Sequence, residues 1–439
     1  MPPRSPRAGL AGPGRLIAVP RPPGAALSPS ALVVLVCAAQ VCVQIGAFFW
    51  PALLPDMMAR WSLSNTEAGW ITASFYGAYM LAVPVLVTLT DRIDPKRVYL
   101  FGVGCTVLAH GLFAGLADGF WSALLLRALA GIGWAGTYMT GLKLLADRVH
   151  PRQMSRAVTG HVASIGVSGA ASYTVAALLD GLAGWRLAFA LAAGSAAAAW
   201  VIVMLMVPAA RRAERPAPRA SGPGLFDFRP VLANRSAMAY GVAYAVHTLE
   251  MNALRGWGVA FLGYVAATTG SGNAVLSPPV VLTLLSLLGT AASVMGNEAS
   301  IRIGRRRLIT FAMLGSALLA SLIGYLGTGS YAVATGLLLL WGMVTWLDSS
   351  SLTAGAAGTA DPSRRGATLA VHSSLGYGGG FLGPLMVGLL LDAAGGMSPF
   401  GWTIAFGSIG VLMVAALVAF RAMRPRELEG DAQATPPER

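Results

Sequence analysis

Charge is scarce in this chain, and the residues that build disulfides and metal sites are scarcer still. Only 11% of the 439 residues are charged, and Lys96 and Lys143 are its two lysines. Set against 55% hydrophobic residues and a mean hydropathy of +0.65, that deficit excludes an ordinary soluble domain. The three cysteines, Cys37, Cys42 and Cys105, fall inside apolar runs, which argues against a disulfide framework and for small buried thiols. No His-rich or Cys-rich cluster has metal-ligand spacing, and no hydroxyl, His and acid set is suggested within the short connecting segments. No metal, cofactor or enzyme chemistry is therefore expected.

What the chain has is apolar length. About twenty residues are needed for a helix to cross the hydrocarbon core, and twelve runs meet that need, at 31–54, 67–89, 98–117, 121–146, 158–179, 187–208, 236–262, 276–298, 308–327, 331–357, 367–391 and 401–420. With the N-terminus inside, 26 of the 31 Lys and Arg fall in cytoplasmic tails and loops. The net charge of +13 thus forms a one-sided rim around a membrane domain; the lipid bilayer is the expected surroundings, and nucleic acid is not a partner. Residues 1–30, with Arg4, Arg7, Arg15 and Arg21 among Pro and Gly, read as a disordered cytoplasmic tail rather than a signal peptide. Both termini are expected in the cytoplasm. A composition rich in Ala, Gly, Pro and Arg points to a bacterial inner membrane.

The apolar pattern breaks at 210–235, dividing the chain into a six-helix half over 31–209, a central linker, a second half over 236–420 and a tail over 421–439. Features recur across the divide. Arg92 pairs with Arg302 and Ser164-Ile165-Gly166 with Ser374-Leu375-Gly376 at an offset of 210, and Leu178-Leu179-Asp180 pairs with Leu390-Leu391-Asp392 at 212. Gly184-Trp185-Arg186-Leu187-Ala188-Phe189 pairs with Gly401-Trp402-Thr403-Ile404-Ala405-Phe406 at 217. Four matches in order indicate two parallel repeats.

After helix 2 stands Val87-x-x-x-Asp91-Arg92-Ile93-Asp94-Pro95-Lys96-Arg97, after helix 8 Arg302-Ile303-Gly304-Arg305-Arg306-Arg307, and in helix 4 Arg127-x-x-x-Gly131-x-Gly133. With twelve spans and an internal repeat, the chain resembles the major facilitator superfamily of secondary transporters over about 30–420. The first loop lacks both glycines of the family's Gly-x-x-x-Asp-Arg-x-Gly-x-Arg-Arg, and the second has Ile301 where the acid would be, with Glu298 one turn earlier. The resemblance implies an all-α membrane protein of two pseudo-symmetric six-helix bundles that rock about a central site, and a cavity lined mainly by helices 1, 4, 7 and 10. Asp91, Arg92 and Arg97, with Arg302 and Glu298 in the second copy, become candidates for a cytoplasmic gate made and broken between states.

On those four helices polar residues share faces. Helix 1 places Gln40 and Gln44 four residues apart; helix 4 aligns Arg127, Trp134 and Tyr138; helix 10 groups Trp341, Thr345 and Asp348, with Trp346 pointing away. In helix 7, Tyr240, Tyr244 and His247 form one strip, flanked by Glu250 and Arg255 on opposite sides. Ionisable groups at this depth are rarely present without use. Arg127 and Arg255 suit an anionic ligand, and Glu250, Asp348 and His247 suit proton exchange. Which of Glu250 and Arg255 faces the cavity stays open. His110, His161 and His372 read as packing residues, and the glycine-rich 376–384 stretch of helix 11 as a place of close helix contact. The expectation is proton-coupled uptake of a small organic or inorganic anion by a monomer. Alternatives are a proton-coupled exporter of amphiphilic or cationic compounds, a sugar carrier, and a membrane-embedded enzyme or receptor.

Overall fold

A computed structural model describes residues 28–90, 92–146, 148–149, 151–209, 228–272, 276–429 and 431–432. Most of the basic N-terminal tail and of the central linker, together with Asp91, lies outside them. The first half comprises α1 (Pro29–Gln44), α2 (Phe49–Ala52), α3 (Leu54–Trp61), α4 (Asn65–Leu89), α5 (Pro95–Leu116), α6 (Phe120–Ala146), α7 (Pro151–Ala183) and α8 (Trp185–Met206). The second comprises α9 (Arg229–Ala233), α10 (Arg235–Thr268), α11 (Pro278–Ile303), α12 (Arg305–Leu326), α13 (Tyr331–Leu347), α14 (Ser349–Gly358), α15 (Arg365–Ala393) and α16 (Pro399–Met423). The protein is all-α, and these helices make twelve passes in two bundles. α1–α3 form the first pass, α13 and α14 together the tenth.

Local chemistry sets the helix starts. Ser28, Ser64, Asp94, Asn234 and Ser398 cap α1, α4, α5, α10 and α16 by accepting a backbone N–H, and Ser64 with Glu67 closes a reciprocal capping box. Proline occupies the first turn of α1, α5, α11 and α16, where its missing N–H costs nothing. Among the described residues, nine helical segments are long and apolar enough to cross a membrane by length and composition. The other three passes, made by α1–α3, α6 and α10, are those carrying Gln40 and Gln44, Arg127, and the His247, Glu250 and Arg255 set.

The repeat seen in the sequence is also a repeat of packing. In the first half, α1 packs on α7 and α8, α5 on α6 and α8, and α4 on α6; in the second, α10 packs on α15 and α16, α12 on α13 and α16, and α11 on α13. Each pair joins the corresponding passes. Between halves, α4 meets α15, α7 meets α11, and α2 and α3 meet α10.

Small residues set how closely these helices approach, because hydrocarbon supplies no hydrophobic drive between them. On α15, Gly379 and Gly383 lie against the carbonyls of Ala245 and Leu249 on α10, where a Cβ would strike backbone. Gly383→Val should therefore force α10 and α15 apart and lower the thermal midpoint, by about 1–3 kcal/mol or more of overpacking strain. Gly104 faces open space, and Gly104→Ala in the same detergent melt should not lower the midpoint.

Candidate functional site

Two passes break near their middles, and the site is built around the breaks. α1 ends at Gln44 and helix resumes at Phe49. The freed backbone groups find side chains: the Phe48 N–H donates to Ser172 Oγ at 2.9 Å, and Arg127 Nη1 donates to the Ala47 carbonyl at 3.3 Å. The turn sets the Phe48 ring flat on Tyr173, with centroids 5.3 Å apart, and under the guanidinium of Arg255, whose Cζ lies 5.2 Å from the Phe48 centroid. Trp346 flanks the same guanidinium at 4.8 Å. Phe48 belongs to the first half and Trp346 to the second, so Arg255 joins the halves at their centre, and its carbonyl accepts a hydrogen bond from Tyr173 at 2.8 Å. The side chain is half-buried, its Nε is buried without a partner, and among the described residues the guanidinium forms no ion pair or hydrogen bond. Arg127, fully buried, rests on Phe75 at 4.5 Å.

The acids lie elsewhere. Glu250 is buried and accepts a 2.6 Å hydrogen bond from Trp341 Nε1 on α13, within its own half. Asp348 sits in the second break, between α13 and α14, with its Oδ1 3.0 Å from His247 Nδ1. Tyr244 stacks on His247 at 5.7 Å and on His372 at 4.0 Å, and His372 Nε2 lies 3.3 Å from the hydroxyl of exposed Thr353. Asp348, His247, Tyr244, His372 and Thr353 thus form a train through the second half. α10 faces both ways, turning Glu250 to α13 and Arg255 to the meeting of the halves.

Other residues singled out in the sequence are placed differently. Gln40 bonds Gln44 at 3.1 Å and Tyr99 at 3.0 Å, which joins helices inside the first half. Trp134 packs between Phe48 and Phe75, and Tyr138 is half-buried with its carbonyl 3.1 Å from His161 Nε2. Thr345 returns its hydroxyl to the Trp341 carbonyl of its own helix at 2.8 Å. Trp341 is fully buried against Phe406, and the tryptophan that reaches the centre is Trp346. Tyr240 departs furthest: it is buried far from the centre, bonded to the Arg426 carbonyl at 2.8 Å.

A family model for the Major Facilitator Superfamily matches residues 36–384. The chain belongs to this superfamily. Among curated relatives, the uncharacterized MFS-type transporter YwoD of Bacillus subtilis is 33% identical over 23% of this chain and 22% of its own length. Protein spinster homolog 1 of Homo sapiens is 27% identical over 54% of this chain and 47% of its own. The chain thus spans less than half the length of these relatives. Among solved structures, a bacterial homologue of the human lysosomal transporter Spinster, inward-facing and occupied, superposes with a TM-score of 0.74 at 16% identity, covering 91% of this chain and 97% of that one. The nucleoside transporter NupG gives 0.69 at 14% identity, over 89% and 98%. This chain shares the fold of these two transporters.

The superfamily's loop signatures take unexpected partners here. Asp91 lies outside the described residues, and Arg92 and Arg97 are exposed. The first loop is instead held by Asp94, which caps α5 and meets Arg148 Nη2 at 2.7 Å, and by Lys96, whose Nζ donates to the Met204 and Val207 carbonyls. In the second copy, Arg302 and Glu298 form an exposed pair one turn apart, at 3.0 Å. The buried arginine is Arg305. It takes the Asp431 carboxylate in a fork, Nε to Oδ2 at 3.1 Å and Nη2 to Oδ1 at 3.2 Å, and donates Nη1 to the Ser351 carbonyl at 3.1 Å. Glu427 accepts the first N–H groups of α12, from Arg305 and Arg306, at 3.0 Å each. Residues 424–429 with Asp431 thus strap the basic-loop end of the second half. Asp431→Asn should leave Arg305 buried without its counter-charge and cost about 3–5 kcal/mol of stability in a melt, whereas Arg302→Ala, removing an exposed pair, should cost under about 0.5 kcal/mol.

Proposed function

We propose that this protein takes up a small organic anion together with a proton, by alternating access across a bacterial inner membrane, as a monomer. The observation that carries the reading is Arg255, a half-buried guanidinium at the meeting of the halves that has ring faces on two sides and no carboxylate partner among the described residues. A cation so placed favours an anionic ligand, and the fork suits a carboxylate or phosphate. Arg127 adds positive charge from the first half, and the aromatic walls favour an anion with an apolar body. The acids do not cancel this charge, since Glu250 and Asp348 are engaged within the second half.

The contact of Asp348 with His247 supports proton coupling. Histidine and aspartate exchange protons near neutral pH when their environments change, and Asp348 lies where α13 breaks into α14, so movement at that break alters its contact with His247. The excess of basic residues supports a cytoplasmic location for the loop-rich face. Contacts between the halves run from Asn65 with Asp392, at the opposite face, to the Tyr79–Tyr377 stack at 3.7 Å, which supports an inward-facing arrangement.

Export of amphiphilic compounds is the second reading. Its amphiphilic substrate, though not its direction, is favoured by the match, 26% identical over 34% of this chain and 28% of its own length, to the probable sphingolipid transporter spinster homolog 2 of Arabidopsis thaliana.

Uptake into liposomes tests the reading. Arg255→Lys keeps the charge but loses the fork and the stacking, so affinity for a carboxylate substrate should fall about tenfold or more; unchanged affinity would assign the arginine to packing. Asp348→Asn should abolish accumulation driven by a proton gradient while sparing exchange of substrate for substrate. Proton-driven accumulation at the wild-type level would remove Asp348 from the proton path.

A further inference from the structure

At the face away from the basic loops, the seal between the halves ends in a single carboxylate. Asp392, at the last turn of α15, accepts hydrogen bonds from the first two residues of α4: Oδ1 takes Asn65 Nδ2 at 2.7 Å and the Asn65 N–H at 3.2 Å, and Oδ2 takes the Thr66 N–H at 2.7 Å. The first N–H groups of a helix have no partners in their own helix and carry the positive end of its dipole. Among the described residues this is the charged hydrogen-bonding contact between the two halves. It is possible because the helices touch there: Gly69 on α4 lies against the Pro384 carbonyl and Leu385 of α15, and Gly388 of α15 against the Asn65 carbonyl.

Asp392 closes the repeated Leu-Leu-Asp sequence, whose first copy ends at Asp180 on α7, so the repeat offers a control within the molecule. By pseudo-symmetry Asp180 would meet the start of α11. That helix opens with Pro278 and Pro279, which have no N–H to give. Asp180 stands instead near Asp56 and Arg60, and α7 meets α11 through neutral hydroxyls, Thr174 to Thr283 at 2.8 Å. One of the two equivalent interfaces has a charged clasp, and the other lacks the two leading N–H groups that make it.

We propose that Asp392 and the α4 N-terminus are a gate that holds the face away from the basic loops closed and opens once per cycle. The carboxylate is exposed at the rim, so when α4 and α15 part it is rehydrated at once. Such a contact biases the closed state without locking it. Asn65 and Asp392 are positioning residues, acting on the halves and not on the ligand.

The inference rests on the alternating-access reading, and the test separates the two. Thr72 is buried on α4, its methyl against Gly256 across the interface. In purified protein with Cys37, Cys42 and Cys105 replaced by alanine, Thr72→Cys reports opening through its rate of reaction with a polar maleimide, with no substrate present. Asp392→Asn and Asp392→Ala should each raise that rate by about tenfold, the effect of losing a charge-assisted helix cap. Asn65→Asp alone should also raise it by placing two carboxylates together, and the exchanged pair, Asn65→Asp with Asp392→Asn, should return it toward wild type. Wild-type rates in both Asp392 variants, with each protein folded and monodisperse, would overturn the gate, as would failure of the exchanged pair to restore. Faster labelling alongside transport kinetics unchanged in every respect would support the gate and contradict alternating access.

Discussion

A charge carried into the hydrocarbon region has no water to fall back on, and every other feature of this core is arranged around that constraint. Glu250 is held by the indole of Trp341, Asp348 by His247, and Arg127 by the carbonyl that the break in the first pass exposes. Arg255 is treated otherwise. Its guanidinium is kept at the centre by two aromatic faces, Phe48 and Trp346, which hold a cation without neutralising it. A cation stabilised this way remains available to a negatively charged ligand, which a salt bridge would preclude.

Because those two rings come from different halves, the charge sits on the seam between the halves. Phe48 reaches Arg255 through the break in the first pass, Trp346 stands two residues before the break in the tenth, and Tyr173 ties Phe48 and Arg255 to α7. An anion engaging Arg255 acts on the contact between halves as well as on the cation. At the first break, backbone groups are handed to the side chains of Ser172 and Arg127, and at the second the Asp348 side chain lies against His247. Long gating motions need such places, since packed helices with glycine against carbonyl do not slide freely.

Much of the fold was legible in the sequence for physical reasons. Apolar length marks a membrane pass whatever its neighbours, and a doubled set of Ser, Gly, Trp and Asp motifs marks two alike bundles. The site was legible in part. Periodicity gives the direction of a side chain relative to its own helix, but not which neighbour stands there. Tyr240 shares a strip with Tyr244 and His247 yet lies one turn nearer the basic end, where the C-terminal strap covers it. Trp341 and Trp346 point apart as the spacing required, and the neighbours decided which one met Arg255. Counting along a straight helix also misses Phe48, which acts only because the helix stops before it. His372 read as packing because nothing in its own helix reveals Tyr244 on the next. Asp431 lies beyond the last pass, and no spacing rule links it to Arg305.

The central claim is that the core presents a positive site to its ligand, and thermal-shift measurement on the purified wild-type protein tests it most directly. Anything that binds the native state stabilises it by mass action, about 2.7 kcal/mol at a hundredfold excess over Kd. Screened against organic carboxylates, inorganic anions, sugars and organic cations, the protein should be stabilised by a subset of the organic anions and by none of the cations or sugars. Stabilisation by organic cations, with organic anions inert, would contradict the account.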